Sequence, residues 1–187
     1  MMADSNITKQ ALAASLRELM EEVPFDKINV AQICERCGMN RKSFYYHFKD
    51  KYDLVNWIFD TDFISLAALE PAPGSAPERW DLIETICDYF YDNRAFYRKA
   101  LQITGQNSFS DHFTEYIGPS LKSRLSCLLG NEQVDEFFID FFTDAVLCAM
   151  KRWLLAKDCM PPKQFLSKIR TLIQSGATVV YQEIEQK

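Results

Sequence analysis

The chain has little of what usually interrupts helices or marks secreted and membrane proteins. Its 187 residues include only 6 glycines and 7 prolines, so long segments contain no strong helix breaker. No segment reaches the roughly 18 consecutive apolar residues of a membrane helix, and the first residues lack the basic start and apolar run of a signal peptide. These features predict a helical, cytoplasmic protein.

Positive charge is also scarce. The sequence has 21 lysines and arginines against 26 acidic residues, and its formal net charge is -5. This balance argues against non-specific nucleic-acid binding by the whole molecule, so any DNA contact must come from a local basic patch. The 6 cysteines are scattered on predicted apolar helical faces instead of loop positions, and we expect reduced thiols.

Motifs for catalysis or metal binding are missing as well. We find no Ser-His-Asp set, no glycine-rich phosphate loop and no paired carboxylates beside a histidine in an apolar cleft, so neither an enzyme nor a cofactor is predicted. Cys34 and Cys37 have the spacing of a zinc or redox pair, but no second pair accompanies them, and we interpret them as buried thiols. His112 stands near Asp111 and Glu115, which is typical of a solvated or capping group, and no metal site is predicted.

What the chain does have is helical periodicity. Apolar residues recur at i, i+3, i+4 and i+7 over long segments, which predicts an all-α fold of about nine helices and no convincing strand. Residues 71–77 contain three prolines and one glycine and must form a loop. We therefore predict a three-helix head at residues 1–65 and a helical body at 66–187. The predicted helices lie at about 6–22, 30–37, 41–48, 52–69, 78–92, 94–104, 107–129 (with a kink or break at Gly118-Pro119), 131–157 and 162–185.

Residues 29–48 have the size of a DNA-reading helix-turn-helix. Asn29 and Gln32 have the spacing of a capping box, and Gly38 stands where a left-handed turn is needed. Phe44 and Phe48 can face the core, which leaves basic and tyrosine side chains outside. Spacing alone also fits a plain helical hairpin, but exposed tyrosines beside a basic cluster favour DNA binding.

The second helix of this motif and its flanks carry groups suited to phosphate oxygens and base edges. Between Met39 and Lys51 there are four lysines or arginines and one aspartate, so positive charge is concentrated there. The asparagine-capped helix N-termini could add backbone amides. The predicted DNA-binding residues are Asn29, Asn40, Arg41, Lys42, Ser43, Tyr45, Tyr46, His47, Lys49 and Lys51.

The run from residue 28 to 33, the Cys-Gly-Met at 37–39 and the run from 43 to 51 resemble the TetR family signature, over about residues 7–60. The resemblance implies that the third helix enters the major groove and that Lys51 touches a phosphate at the start of the fourth helix. It further implies that the tyrosine pair and His47 lie along the DNA backbone. Arg41 and Lys42 are then the expected base readers.

The last two predicted helices carry more apolar surface than one buried face needs. We predict that they pack against their symmetry mates in a four-helix dimer interface, with Gly176-Ala177 permitting close approach of the partner. A purely internal core is the alternative. The predicted interface residues are Phe138, Phe142, Ala149, Trp153, Ile169, Ile173, Gly176, Ala177 and Val180.

Aromatic residues of the middle helices are candidates for an effector pocket, although such stripes are also typical of plain core. They are Trp80, Tyr89, Phe96, Tyr97, Phe109, Phe113 and Tyr116. The runs at 92–97 and 105–109 resemble the TetR subgroup that includes the dihydroxyacetone-kinase operon regulator, some of whose members act through a partner protein. We therefore predict a dimeric repressor that binds a palindromic operator and responds to a small apolar or aromatic effector. Regulation through a protein co-regulator is the alternative.

Overall fold

The computed structural model describes residues 2–67, 80–104, 108–129 and 136–185, and every regular element within these ranges is a helix. This confirms the predicted all-α class with about nine helices. A short 3-10 helix, Phe25–Lys27, lies between the first two α-helices. The α-helices are α1 (Met2–Glu22), α2 (Val30–Arg36), α3 (Arg41–His47), α4 (Lys51–Ala67), α5 (Trp80–Asp92), α6 (Arg94–Ala100), α7 (Phe109–Leu129), α8 (Glu136–Leu155) and α9 (Pro162–Glu185).

Two predicted helix limits differ from the structure in an informative way. Helix α6 ends at Ala100 instead of near 104, because the chain tightens there into a turn in which the Ile103 N–H donates to the Ala100 carbonyl at 3.1 Å. Helix α7 continues through Pro119, so the predicted break is not found. A proline removes one backbone hydrogen bond, and the buried side chains of Ile117 and Leu125 stabilise the helix on either side of it.

The described helices fall into two compact units. The first contains Met1–Leu69 and Asn93–His112, and the second contains Glu70–Asp92 and Phe113–Lys187. Within the first unit, α1 packs against α2, α3, α4 and α6. Within the second, α5 and α8 both pack against α9. No helix among the described residues has the length and apolarity that crossing a membrane requires.

Polar contacts reinforce the apolar core of the first unit. The Asp62 carboxylate of α4 accepts hydrogen bonds from Arg17 of α1 and from the Tyr97 hydroxyl of α6, both at 2.5 Å. The His112 Nε2 is hydrogen-bonded to the Asp60 Oδ1 at 2.6 Å. Sequence neighbours suggested a solvated or capping histidine, whereas its partner in the structure lies on α4. Such pairing between distant segments cannot be read from local spacing.

The second unit has an aromatic core of its own. The Trp153 ring of α8 stacks on Phe165 of α9 with centroids 4.5 Å apart and planes 6° from parallel. Its indole N–H donates to the Met160 carbonyl at 2.8 Å, so the one polar atom of the buried ring is satisfied. Trp153 thus joins α8 to α9 within one chain.

Candidate nucleic-acid interface

The helix-turn-helix begins with the capping box that the sequence predicts. The Gln32 N–H donates to the Asn29 Oδ1 at 3.0 Å, and the Asn29 N–H donates to the Gln32 Oε1 at 2.9 Å. Gly38 then adopts a positive φ of 69°, which a residue with a Cβ would strain to reach. The Asn40 Oδ1 accepts from the Ser43 N–H at 2.8 Å and caps α3. Local hydrogen bonding therefore defines both helices of the motif.

The inner face of α3 consists of phenylalanines. Phe44 is fully buried and Phe48 nearly so, and their ring centroids are 5.8 Å apart. Ile33 of α2 is also fully buried, whereas Val30 is only half-buried. The predicted orientation of Phe44 and Phe48 toward the core is confirmed. Their burial fixes which side of α3 faces outward.

The outer face of α3 is basic and aromatic. Arg41 and Lys42 are exposed, Tyr45 is 59% exposed and Tyr46 is 82% exposed. Residues four apart lie on the same side of a helix, so Lys42 and Tyr46 form one outward ridge. This ridge has the dimensions and chemistry to enter a DNA major groove.

His47 ends α3 at one side of this ridge. Its ring lies 4.9 Å from the Tyr46 ring in a perpendicular arrangement, and the side chain is half-buried. Burial lowers the pKa of His47, and the positive charge of Lys9 lowers it further. The imidazole is thus held toward its neutral form in the free protein.

A bidentate ion pair fixes α2 against α1. The Arg36 guanidinium donates to both carboxylate oxygens of Glu22, at 2.6 and 2.7 Å, and Glu18 lies 3.6 Å away. The hydrogen bond to Arg36 lowers the pKa of Glu22, and the same bond raises the pKa of Arg36. Sequence reasoning missed this contact, because the two residues lie on different helices.

Two family models match the chain. One, described as bacterial regulatory proteins of the tetR family, matches residues 12–58, and the other, described as a transcriptional regulator C-terminal region, matches residues 78–175. The chain belongs to the TetR family of transcriptional regulators. Members of this family bind DNA, typically act as dimers and are not enzymes.

Individual relatives agree with the family assignment. The HTH-type dhaKLM operon transcriptional activator DhaS of Lactococcus lactis is 28% identical over 103 residues, which are 54% of this chain and 53% of that relative. This alignment therefore spans about half the length of the relative. The transposon Tn10 TetC protein of Escherichia coli is 23% identical over 71% of each chain.

Solved structures of other regulators share the fold. A structure of the dihydroxyacetone kinase operon activator DhaS has a TM-score of 0.68 at 18% identity and covers 92% of this chain and 97% of that one. A TetR regulator from Streptococcus agalactiae has a TM-score of 0.69 at 19% identity, with coverages of 91% and 96%. NalD of Pseudomonas aeruginosa, described as the secondary repressor of the MexAB-OprM multidrug efflux pump, has a TM-score of 0.63 at 14% identity, with coverages of 92% and 97%.

The ammonium of Lys51, at the start of α4, has partners within the first unit. Its ammonium donates to the carbonyls of Phe25 and Ile28, both at 2.8 Å, and lies 3.4 Å from that of Asp26. It also lies 4.4 Å from the centroid of the Phe25 ring. Burial lowers the pKa of Lys51, and the nearby charge of Asp26 opposes that effect. The donors of this ammonium are directed at the segment that leads into α2.

The start of α4 is also capped from within. The Asp50 Oδ1 accepts from the N–H groups of Tyr52 and Asp53, at 2.8 and 2.9 Å. The Asp53 Oδ2 in turn accepts from the Lys49 N–H at 2.9 Å, while the Lys49 side chain remains exposed. Asp50 and Asp53, three residues apart, carry the N-cap signal that would have revealed this arrangement from the sequence.

The two cysteines at the end of α2 differ in how deeply they are buried. Cys34 is buried, as predicted, and burial raises the pKa of its thiol. Cys37 is only half-buried, and its Sγ lies 3.3 Å from the Ile33 carbonyl oxygen. The prediction of buried thiols is therefore confirmed for Cys34 and wrong for Cys37.

The candidate effector residues with a described side chain are divided between the two compact units. Phe96, Tyr97 and Phe109 are buried in the first compact unit, where Tyr97 and Phe109 pack with ring centroids 6.0 Å apart. Phe113 is buried in the second unit, where Tyr89 and Tyr116 are half-buried. The Trp80 side chain lies outside the described residues.

A different set of side chains encloses an apolar cavity in the second unit. The cavity is about 20 Å³, which is room for about one water molecule, whereas pockets for small ligands are typically about 300 Å³ or larger. None of the candidate effector residues with a described side chain lines it. Its walls are Ile83, Cys87, Leu121, Leu125, Val146, Met150, Phe165, Leu166, Ile169 and Ile173.

Several of the predicted dimer-interface residues pack against other residues of the same chain. Trp153, Ile169 and Ile173 are buried in the second unit, and the two isoleucines line its cavity. A Cβ on Gly176 would collide with the Phe142 ring, so the close approach at this glycine is made by α8 of the same chain. Phe138 and Ala149 are half-buried. The side chains of Ala177 and Val180 lie outside the described residues.

Three other apolar residues are exposed on α8 and α9. Phe137 is 72% exposed, Phe141 is 57% exposed and Leu172 is 64% exposed. The sequence predicted more apolar surface on α8 than one buried face needs, but Phe137 and Phe141 were not among the predicted interface residues. Periodicity could not decide between them and Phe138 or Phe142, because all four are apolar. The packing of α9 determines which pair remains outside.

Proposed function

We propose that the chain acts as a homodimer that binds a palindromic operator, with α3 of each protomer in one half-site. Residues 1–65 are the DNA-binding domain and residues 66–187 the ligand-binding and dimerisation domain in this proposal. The outer ridge of α3 carries it, because Lys42 and the 82% exposed Tyr46 are presented together on a helix whose other face is buried. Such exposure of an aromatic ring favours an interaction site over a solvated surface.

The proposed contacts divide by chemistry. Arg41 and Lys42 donate to base edges, and the hydroxyls of Tyr45 and Tyr46 donate to phosphate oxygens. Ser43 and Lys49 add hydrogen bonds at the margins. Asn29 and Asn40 act through the helix caps that they form, and Lys51 acts by holding residues 25–28 in place. His47 completes the set at the end of α3.

The dimer in this proposal forms through the exposed faces of α8 and α9. Phe137 and Phe141 lie four residues apart, so they form one apolar stripe on α8. Leu172 extends the exposed apolar surface onto α9. A second copy of the chain is the proposed occupant, because TetR regulators typically act as dimers. Phe138, Phe142 and Ala149 then support the stripe from behind.

The proposed effector is a small apolar molecule that enlarges the cavity of the second unit. All ten side chains of its lining are apolar or thiol-bearing, and Met150 is flexible enough to move aside. Binding would favour one spacing of the two DNA-binding heads and release the operator. Repression in the cytoplasm is the form of regulation that we propose.

Control by a protein co-regulator is the second candidate. The small volume of the apolar cavity favours a protein co-regulator, because this cavity would have to enlarge before it could hold a small-molecule effector. The similar proteins include one named as an activator and one described as a repressor, so this fold is used for both activation and repression of transcription. Isolation of the chain with a bound small molecule would exclude this candidate.

The experiment is selection of genomic fragments by the purified protein at two salt concentrations, followed by sequencing. We expect one inverted repeat to be enriched and its binding to weaken with salt. Lys42→Ala should weaken binding to that repeat by about 5- to 150-fold if Lys42 reads bases. Lys157→Ala, which removes one exposed charge from the second unit, is the matched control. Equal binding by both variants would overturn the assignment of α3 as the reading element.

A further inference from the structure

A lysine that sequence reasoning did not single out lies beside the end of α3. The Lys9 ammonium of α1 is 5.9 Å from the Phe48 ring centroid and 5.7 Å from that of Trp57. The two rings are themselves perpendicular, with centroids 5.6 Å apart. Lys9 is thus held by cation–π attraction where α1, α3 and α4 of the first unit meet.

The positive charge of Lys9 is not neutralised by the residues around it. Among residues 2–67, 80–104, 108–129 and 136–185, the structure records no carboxylate oxygen within ion-pair distance of its ammonium. The His47 ring lies beside the same Phe48 ring, with centroids 6.3 Å apart, and the charge of Lys9 contributes to lowering the pKa of His47. An anion bound beside both groups would attract the Lys9 ammonium and favour the protonated form of the His47 imidazole.

The groups at the start of α4, where the TetR resemblance implies a phosphate contact, already have internal partners. The Lys51 ammonium donates to backbone carbonyls, and the Asp50 Oδ1 accepts from the N–H groups of Tyr52 and Asp53. A DNA phosphate at this position would have to displace those internal partners. The Lys9 ammonium has no ion-pair partner among the described residues, so it can bind an anion without breaking a salt bridge.

We propose that Lys9 and His47 together bind one DNA backbone phosphate at the C-terminal end of the recognition helix α3. This inference rests on the proposed DNA-binding function and adds a residue of α1 to it. A phosphate contact positions the protein without reading sequence. The Phe48 and Trp57 rings restrict the Lys9 stem in the free protein, so less side-chain freedom is lost when the phosphate binds.

The test measures binding to two short duplexes, the selected operator and a scrambled duplex of the same composition, over a range of salt. Lys9→Ala should make the slope of log K against log salt concentration shallower by about 0.9 for each half-site, on both duplexes. This corresponds to about eightfold weaker binding per contact at about 0.1 M salt. Lys9→Arg should retain the wild-type slope, and Lys157→Ala should leave it unchanged.

A double-mutant cycle tests whether the two residues share one phosphate. The loss for Lys9→Ala combined with His47→Gln should be smaller than the product of the two single losses, because the second change removes a contact already weakened. Strictly multiplicative losses would overturn the shared site. A Lys9→Ala slope equal to that of Lys157→Ala would overturn the role of Lys9 while leaving DNA binding intact. Failure of the wild type to bind either duplex would overturn both this inference and the proposed function.

Discussion

The molecule exposes aromatic rings on two surfaces, and the rings differ in one atom. On α3 they are Tyr45 and Tyr46, which carry hydroxyls, and on α8 they are Phe137 and Phe141, which do not. A phenol can donate to a phosphate and still present an apolar face, whereas a phenyl ring gains only from burial. Similar exposure therefore indicates a polar ligand in the first case and an apolar partner in the second.

The charges beside the two surfaces strengthen the contrast. Arg41 and Lys42 flank the tyrosines of α3, whereas Glu136, Asp140 and Asp144 are exposed on α8. Lys122 of α7 pairs with Glu136 at 3.0 Å and with Asp140 at 2.7 Å. An acidic surface repels DNA, so the net charge of -5 is compatible with DNA binding when the positive charge is segregated onto α3.

The largest expected effect comes from placing a charge on the α8 stripe. Phe141→Asp should weaken dimerisation by about 2–4 kcal/mol, because it puts a carboxylate where an aromatic ring is buried against the partner. Sedimentation velocity over a concentration series measures this change. Ile7→Asp, which alters a 65% exposed apolar residue on α1, should leave the dimer intact. A Phe141→Asp protein that dimerises like the wild type would remove α8 from the interface.

Cysteine alkylation gives a second readout of the same surface. Cys148 is exposed and lies seven residues after Phe141, so it falls on the same side of α8. It should react more slowly in the wild-type dimer than in Phe141→Asp. Burial raises the pKa of Cys87 to about 12, with smaller contributions from Asp88 and Glu84, so this thiol should stay unreactive in both proteins. Equal rates at Cys148 in the two proteins would contradict the proposed interface.

The next largest effect concerns stability, and it distinguishes Lys51, whose ammonium has partners within the first unit, from the exposed Lys49. Lys51→Met keeps the apolar stem but removes the donors to the Phe25 and Ile28 carbonyls, and should lower the free energy of unfolding by about 1.5–3 kcal/mol. Lys49→Met, at an exposed side chain, should change it by less than about 0.5 kcal/mol. Urea unfolding at one protomer concentration measures both, and equal values would make Lys51 an ordinary surface lysine.

The outcome for individual residues shows what a sequence can predict. The caps at Asn29 and Asn40 and the turn at Gly38 depend on residues two or three positions away, and all three were predicted. The donors of Lys51 instead point to carbonyls more than twenty residues distant, and no local spacing encodes that contact. The choice between Phe137 with Phe141 and Phe138 with Phe142 was also unpredictable, because a helix that is apolar around much of its circumference is oriented by the helices packed against it.

A smaller effect tests the hydroxyls that distinguish the two surfaces. Tyr46→Phe preserves the ring and should weaken DNA binding by about 0.5–1.5 kcal/mol, because one hydrogen bond to the DNA backbone is lost. Phe141→Tyr adds a hydroxyl to α8 and should leave operator affinity unchanged at concentrations where the protein is dimeric. Fluorescence anisotropy with the selected operator measures both. Unchanged affinity for Tyr46→Phe would mean that exposure of the ring, and not its hydroxyl, is what matters on α3.

The smallest expected effect is a pH dependence confined to the DNA-binding surface. Burial and Lys9 lower the pKa of His47, so its contribution to stability is present above the unfolded pKa of about 6.5 and is lost as pH falls through the folded value. A phosphate beside the ring reverses this preference and favours the charged imidazole, so DNA binding takes up a proton. Operator affinity should therefore rise as pH falls toward 6, by at most about tenfold per pH unit for each protomer.

Two comparisons test whether His47 causes this pH dependence of operator binding. His47→Gln should flatten the pH profile of operator binding, since the chain has only 2 histidines and His112 is hydrogen-bonded to Asp60. The dimerisation constant should not follow the same profile, because phenylalanines form the α8 stripe and cannot titrate. A wild-type profile that is already flat, or that His47→Gln leaves unchanged, would show that no phosphate lies beside His47. The ridge formed by Lys42 and Tyr46 would then have to carry the DNA contacts without that residue.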